Sequence, residues 1–183
     1  MVYVSLSAGA LRLLIPLAAL LLLAPTAATA ERAGGGQRAR IAYVVDGDTV
    51  ALTGGERVRL VQIDTPEVYN VPECYGKQAS SVTERLLPRG TAVRIFQEPR
   101  TDSVDAYGRL LRYVVRIRDG LNVNLQLVRV GAAAPYFYDG RRGRYSRELV
   151  KLALRARSRR LGLWGRCPHT PWDPDHGVST GPP

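Results

Sequence analysis

The stretch Val58-Arg59-Leu60-Val61-Gln62-Ile63-Asp64-Thr65-Pro66-Glu67 constrains this chain more than any other. Val58 and Leu60 alternate with Arg57 and Arg59, the period of two expected of a half-buried strand with its arginines on the outer face. Pro66, which has no amide to give a ladder, ends the run. Upstream, Val44-Val45 and Val50-Ala51-Leu52 are apolar runs hinged on Asp46-Gly47-Asp48, and Thr53-Gly54-Gly55-Glu56 supplies a hairpin connection. Closing that hairpin at Gly54-Gly55 sets Asp48 opposite about Val61 and leaves Asp64 roughly 10 Å further along, at about 3.4 Å per residue. Strand twist can bring both carboxylates to one mouth. Acids gathered beside an arginine are costly unless a metal or phosphate joins them, so this end of the sheet is a candidate reaction centre.

Further along, Tyr75 to Leu87 carries Ala79, Val82 and Leu86 at helical spacing and stops at Pro88 and Gly90. Ala92 to Phe96 and Leu110 to Ile117 read as strands, joined by the polar loop Arg100 to Gly108. Leu121 to Val130 reads as a short helix ended by Gly131. Ser146 to Ser158 is a longer one, with Leu149, Leu152, Ala153 and Ala156 on one face and arginines on the other. Three strands, a helix, two strands and then helices make an α+β chain whose strands suit a five-stranded OB-fold, a Greek-key β-barrel, with about three α-helices.

Composition narrows the partners. Lys+Arg 26 against Asp+Glu 16 gives a net charge of +10, which favours nucleic acid, anionic lipid or cell-wall polyanions, with a mere solubility charge as the alternative. At the start, Arg12, the apolar run Leu13 to Leu23 and Ala28-Thr29-Ala30 read as a signal peptide over residues 1–30, which implies a secreted protein. The alternative is an uncleaved membrane anchor, although the run is short of the ~20 residues a span needs. Residues 31–37, with Gly34-Gly35-Gly36, are a flexible leader, residues 38–166 the folded domain, and residues 167–183 a proline-rich tail read as extended.

Two cysteines, Cys74 and Cys167, are present, and an even count in an exported chain argues for a bridge that staples the tail to the loop after Glu67. Two independent thiols are the alternative. Cys167, His169 and His176 have no zinc-site spacing, and neither histidine reads as catalytic.

The ordered set Val45-Asp46-Gly47-Asp48-Thr49-Val50, Arg59-Leu60, Asp64-Thr65-Pro66-Glu67, Tyr75-Gly76-Lys77-Gln78-Ala79-Ser80, Asp105-Ala106-Tyr107-Gly108-Arg109, Val123-Asn124 and Tyr136-Phe137-Tyr138 resembles the staphylococcal nuclease (thermonuclease) family. The resemblance runs from about Arg38 to Trp164 and implies an OB-type barrel and a calcium-dependent nuclease acting on DNA and RNA. It implies Ca2+ ligation by Asp48, Asp64 and the backbone carbonyl of Thr65, with Asp46 in the outer shell. Glu67 is implied as the residue that positions or deprotonates the attacking water, and Arg59 and Arg109 as phosphate clamps. Tyr107, Tyr136 and Tyr138 are implied as nucleotide-binding. Where the family often has a lysine, this chain has Ala106, which removes one phosphate contact. The chemistry implied is attack by water on phosphorus and expulsion of the 5′ oxygen, leaving 3′-phosphate ends.

Two other classes compete. A non-catalytic OB-type nucleic-acid-binding module would use the same barrel, but Asp48, Arg59, Asp64, Glu67 and Arg109 are all present. An adhesin for anionic wall polymers rests on charge alone. The sequence implies no obligate protein partner, and a membrane enters only if the N-terminal segment stays attached.

Overall fold

A computed structural model describes residues 1–2 and 36–182. The expected signal segment lies outside the described residues. Five strands close a barrel: β1 (Gln37–Val44), β2 (Thr49–Leu52), β3 (Arg57–Leu60), β5 (Ala92–Gln97) and β6 (Leu110–Arg116), in the order β1-β2-β3-β6-β5, with β5 returning to β1. Neighbours are antiparallel except β3 and β6, which run parallel with Arg59 beside Leu111. Inward residues Ile41, Val50, Leu52, Val58, Leu60, Val93, Ile95 and Val114 fill the interior. The α+β barrel expected from the sequence is the fold.

Three helices cover it. α1 (Gly76–Leu86) lays Ala79 and Thr83 against the barrel, and α2 (Val123–Arg129) is capped by the Asn122 side chain, which accepts from the amide of Leu125. α3 (Ser146–Ser158) buries Leu149, Leu152, Ala153 and Ala156, the face its periodicity predicts. A single turn, α4 (Leu163–Arg166), follows.

The hairpin register differs from expectation by one residue. Thr49 pairs with Arg59 and the amide of Leu60 donates to Asp48 O at 2.8 Å, so Asp48 lies opposite Leu60, not Val61. The cause is a three-residue connection, Thr53-Gly54-Gly55, with Gly55 at φ 95°, where a side chain is disfavoured.

Beyond Leu60 the chain leaves the barrel. Gln62 adopts a left-handed φ of 65°, paid for by its buried amide, which donates to Arg141 O at 2.6 Å and accepts from the amide of Gly143 at 2.8 Å. Asn124, fully buried, donates to Val61 O and accepts from the amide of Val114, which satisfies backbone groups freed by the break. The redirected chain forms β4 (Ile63–Asp64), paired with β7 (Ala134–Pro135), and delivers Asp64 back towards Asp48.

The proline-rich tail is ordered, not simply extended. Cys74 and Cys167 are bonded, and β8 (Trp172–Asp173) folds back on β9 (Gly177–Val178). Trp172 Nε1 donates to Pro135 O at 2.8 Å, the amide of Phe137 to Pro174 O at 2.6 Å, and the amide of Cys74 to Gly181 O at 2.7 Å. These contacts span distant parts of the chain, which is why no local periodicity announced them.

Candidate active site

Arg59 leaves the barrel wall on the outer face expected of it, with its side chain only 13% exposed under the mouth. Its Nε meets Asp48 Oδ1 at 3.0 Å and its Nη2 meets Asp64 Oδ1 at 2.9 Å. Nη1 donates to the carbonyls of Leu60 and Ile63 at 2.9 and 2.7 Å. The guanidinium therefore ties the end of β3 to β4 and brings the two aspartates together. Burial works against its charge, but Asp48, Asp64, Asp46 and Glu67 outweigh that and hold it more firmly protonated than usual.

Asp48 is saturated. Oδ1 takes Arg59 Nε and the Thr49 hydroxyl, and Oδ2 takes the amide and hydroxyl of Thr65 at 3.0 and 2.9 Å, which fills the four acceptor positions of a carboxylate. Asp64 has room left: beyond Arg59, it accepts only the amide of Val178 on Oδ2 at 3.1 Å. Burial, opposed by Arg59 but reinforced by Asp48, pushes the Asp64 carboxyl up to about 7. Asp46 accepts the amide of Asp48, and burial together with the Asp48 charge raises it also.

Glu67 sits at the exposed rim. Partial burial and the charges of Asp48 and Asp46 hold its carboxyl above the ordinary range against the pull of Arg59. It faces a neighbouring hollow shared with Glu73, Tyr75 and Lys77 and does not line the arginine groove.

That groove, about 540 Å³, is bounded by Arg59, Arg109, Tyr107, Tyr136, Tyr138 and Arg141, among others. Arg109 is braced by Asp105, whose Oδ2 takes its Nε at 2.7 Å, while Nη1 reaches the Thr49 hydroxyl at 3.4 Å. Tyr107 is 85% exposed beneath the Arg109 guanidinium, 5.3 Å from its ring centre, and Tyr136 and Tyr138 meet edge to face. Among the described residues, no three His, Cys, Asp or Glu side chains form a ready metal cluster.

Residues 57–166 match the family model described as staphylococcal nuclease homologue. The chain belongs to the staphylococcal nuclease family. It is 35% identical over 140 residues to an uncharacterized endonuclease of Escherichia coli O157:H7, a match covering 73% of this chain and 81% of that one. It is 34% identical over 137 residues to the thermonuclease of Staphylococcus intermedius, covering 72% and 78% respectively. Similarity to Endonuclease YhcR of Bacillus subtilis is 37% over 106 residues, 51% of this chain but 8% of that much longer protein.

Within this staphylococcal nuclease frame, the structure brings Asp46, Asp48, Arg59, Asp64 and Thr65 into one network and sets Tyr107, Arg109, Tyr136 and Tyr138 on the groove beside it, with Glu67 on a separate wall. Four participants were not singled out: Thr49, which links Arg109 to Asp48; Asp105 as a brace; Gln62 as the pivot; and the amide of Val178. The i, i+4 spacing of Asp105 and Arg109 was a usable signal. Val178 had none, and the family match ends at Arg166, short of it.

Proposed function

We propose that this chain is an exported nuclease that hydrolyses phosphodiester bonds in DNA and RNA with the help of calcium. The observation that carries the reading is the sharing of Arg59 between Asp48 and Asp64 at the edge of a groove that also presents Arg109 and three tyrosines.

The donors fit a hard divalent cation. Asp48, Asp64 and the Thr65 carbonyl offer only oxygen, and the acids of the cluster outnumber its buried arginine; burial first, and then neighbouring carboxylates, raise Asp46, Asp64 and Glu67. When bound, the cation supplies Lewis acidity and lowers the pKa of a coordinated water.

Glu67, with its raised affinity for protons, is suited to take the proton of the attacking water. Arg109 keeps Nη2 free to meet phosphate oxygens, Arg59 keeps one N–H and must exchange an aspartate contact to offer a fork, and both stay charged, so they stabilise the negative charge of an in-line transition state. Water attacks phosphorus and the 5′ oxygen departs, leaving a 3′-phosphate. Tyr107, Tyr136 and Tyr138 offer flat faces on which any base can stack, and neither stacking nor phosphate clamping reads base edges. Low sequence preference follows.

One observation favours a second reading, a module that binds nucleic acid without cutting it: Asp48 is saturated and Arg59 is engaged at four donors, as in a closed structural network. Incubating oligonucleotides with the purified protein in calcium and in chelator separates the two. The nuclease degrades single strands faster than duplex in calcium and is silent in chelator, and Glu67→Gln binds without cutting. Undiminished cleavage in chelator removes the metal assignment, and equal turnover by the variant removes Glu67.

A further inference from the structure

A ridge of α3, running on to its C-cap, carries Arg147, Lys151, Arg155 and Arg159 at successive intervals of four and winds from the solvent side towards the edge of the buried face. The row is roughly 18 Å long at about 1.5 Å of rise per residue. Arg129, from the last turn of α2, joins it across a hollow of about 620 Å³ whose floor is Leu152, Ala156 and Leu161. All five cations are exposed, and among the described residues none forms an ion pair.

Like charges four apart disfavour a helix, and a single acid in the row would relieve them. Glu148, the one acid on the hollow, does not pair with any of the row. Packing does not require the cations either, because α3 meets α2 and β7 through its leucine and alanine face. Their lining residues are separate from those of the arginine groove.

We infer that this row is a second nucleic-acid site, a binding surface for the phosphodiester backbone that holds a long substrate away from the bond being cut. Its cations, about 6 Å apart along the helix axis, can each meet roughly one phosphate of a strand. Exposed guanidinium and ammonium groups on a groove suit such a polyanion, and release of its condensed counterions supplies the driving force. The inference deepens the nuclease reading and rests on it only for the word substrate.

The test is Lys151→Gln/Arg155→Gln/Arg159→Gln. In chelator, binding of a DNA duplex of about 30 base pairs is followed by fluorescence anisotropy between about 50 and 200 mM salt. The variant is expected to bind at least tenfold more weakly at the low-salt end, with the slope of log K against log salt shallower by roughly 2–3, about 0.9 per lost contact. Cleavage of a nucleotide p-nitrophenyl phosphodiester in calcium, too short to reach the row, stays unchanged while KM for long DNA rises. Unaltered affinity and slope overturn the proposal. So does a variant that loses binding to phosphatidylglycerol vesicles but not to DNA. If the triple variant does not fold, Arg129→Gln/Arg147→Gln gives the same readout. Should the wild-type chain fail to cut the short diester, the nuclease reading falls, yet the slope measured in chelator still decides the row.

Discussion

The amide of Val178 donates to Asp64 Oδ2 at 3.1 Å, joining a residue of the tail ribbon to one of the paired aspartates across 114 positions of sequence. The approach is tight. Gly177 has φ +83°, and a Cβ there would stand 2.4 Å from Asp64 Oδ2. Gly177→Ala is therefore expected to lose about 1 kcal/mol or more through the backbone alone. It should also push the amide off Asp64 and weaken cation binding several-fold by calorimetry. An unchanged affinity would show that the ribbon has no hand in placing Asp64.

The Cys74–Cys167 bond holds that ribbon at its base, closing a loop with a sequence separation of 93. On the chain-entropy account, removing it by Cys74→Ser/Cys167→Ser costs roughly 4–5 kcal/mol at most, with 2–4 typical of measured bridges. Thermal melts with and without a dithiol reductant check this. The oxidised wild type should melt well above both its reduced form and the double variant, which should coincide with each other.

On the proposed reading, Arg59 competes with the cation for Asp48 and Asp64. Removing its charge in Arg59→Gln should tighten calcium binding by at least tenfold, since a unit charge a few ångströms away is worth a few kcal/mol near a protein surface. Turnover should fall by roughly 100-fold or more with the loss of a transition-state donor. Without cation the variant should be destabilised by roughly 3–5 kcal/mol, the cost of unpairing a buried ion network. Weaker calcium binding in the variant would contradict the competition.

Asp105 fixes Arg109 and has its own pH signature. Burial alone would raise its carboxyl, but the amides of Arg109 and Tyr107 and the Arg109 guanidinium hold it below the ordinary range. A lowered folded-state value means the contribution is present above the unfolded value of about 3.9 and lost as pH falls through the lower folded one. Asp105→Asn should therefore melt below the wild type at pH 5, with the difference vanishing in stronger acid. Its kcat should drop about tenfold with calcium affinity unchanged. A fall in calcium affinity instead would place Asp105 in the cation site.

Much of this architecture could be read from residue order. Alternation in β3, the helical face of α3 and the Asp-Gly-Asp hinge are local signals, and they were enough to place the barrel; the route by which Asp64 returns to Asp48, through the break at Gln62, was not among them. Arg59 takes the outer face that alternation assigns it, but alternation tells which side of a strand a residue takes, not what later folds over that side, and here the side chain is left 13% exposed. The hairpin register slipped by one because Thr53-Gly54-Gly55 supports two- and three-residue closures alike, and only cross-strand pairing chooses. Gln62 and the tail stayed hidden for a common reason: their conformations are set by partners about 80 to 110 positions away.

That span gives the ribbon a place in time as well as in space. At roughly 5–20 residues per second, about 6–23 s of synthesis separates the emergence of Asp64 from that of Val178. Throughout that interval the nascent chain lacks the amide that steadies this aspartate. The order of translation itself postpones completion of the acidic mouth until the ribbon has been made.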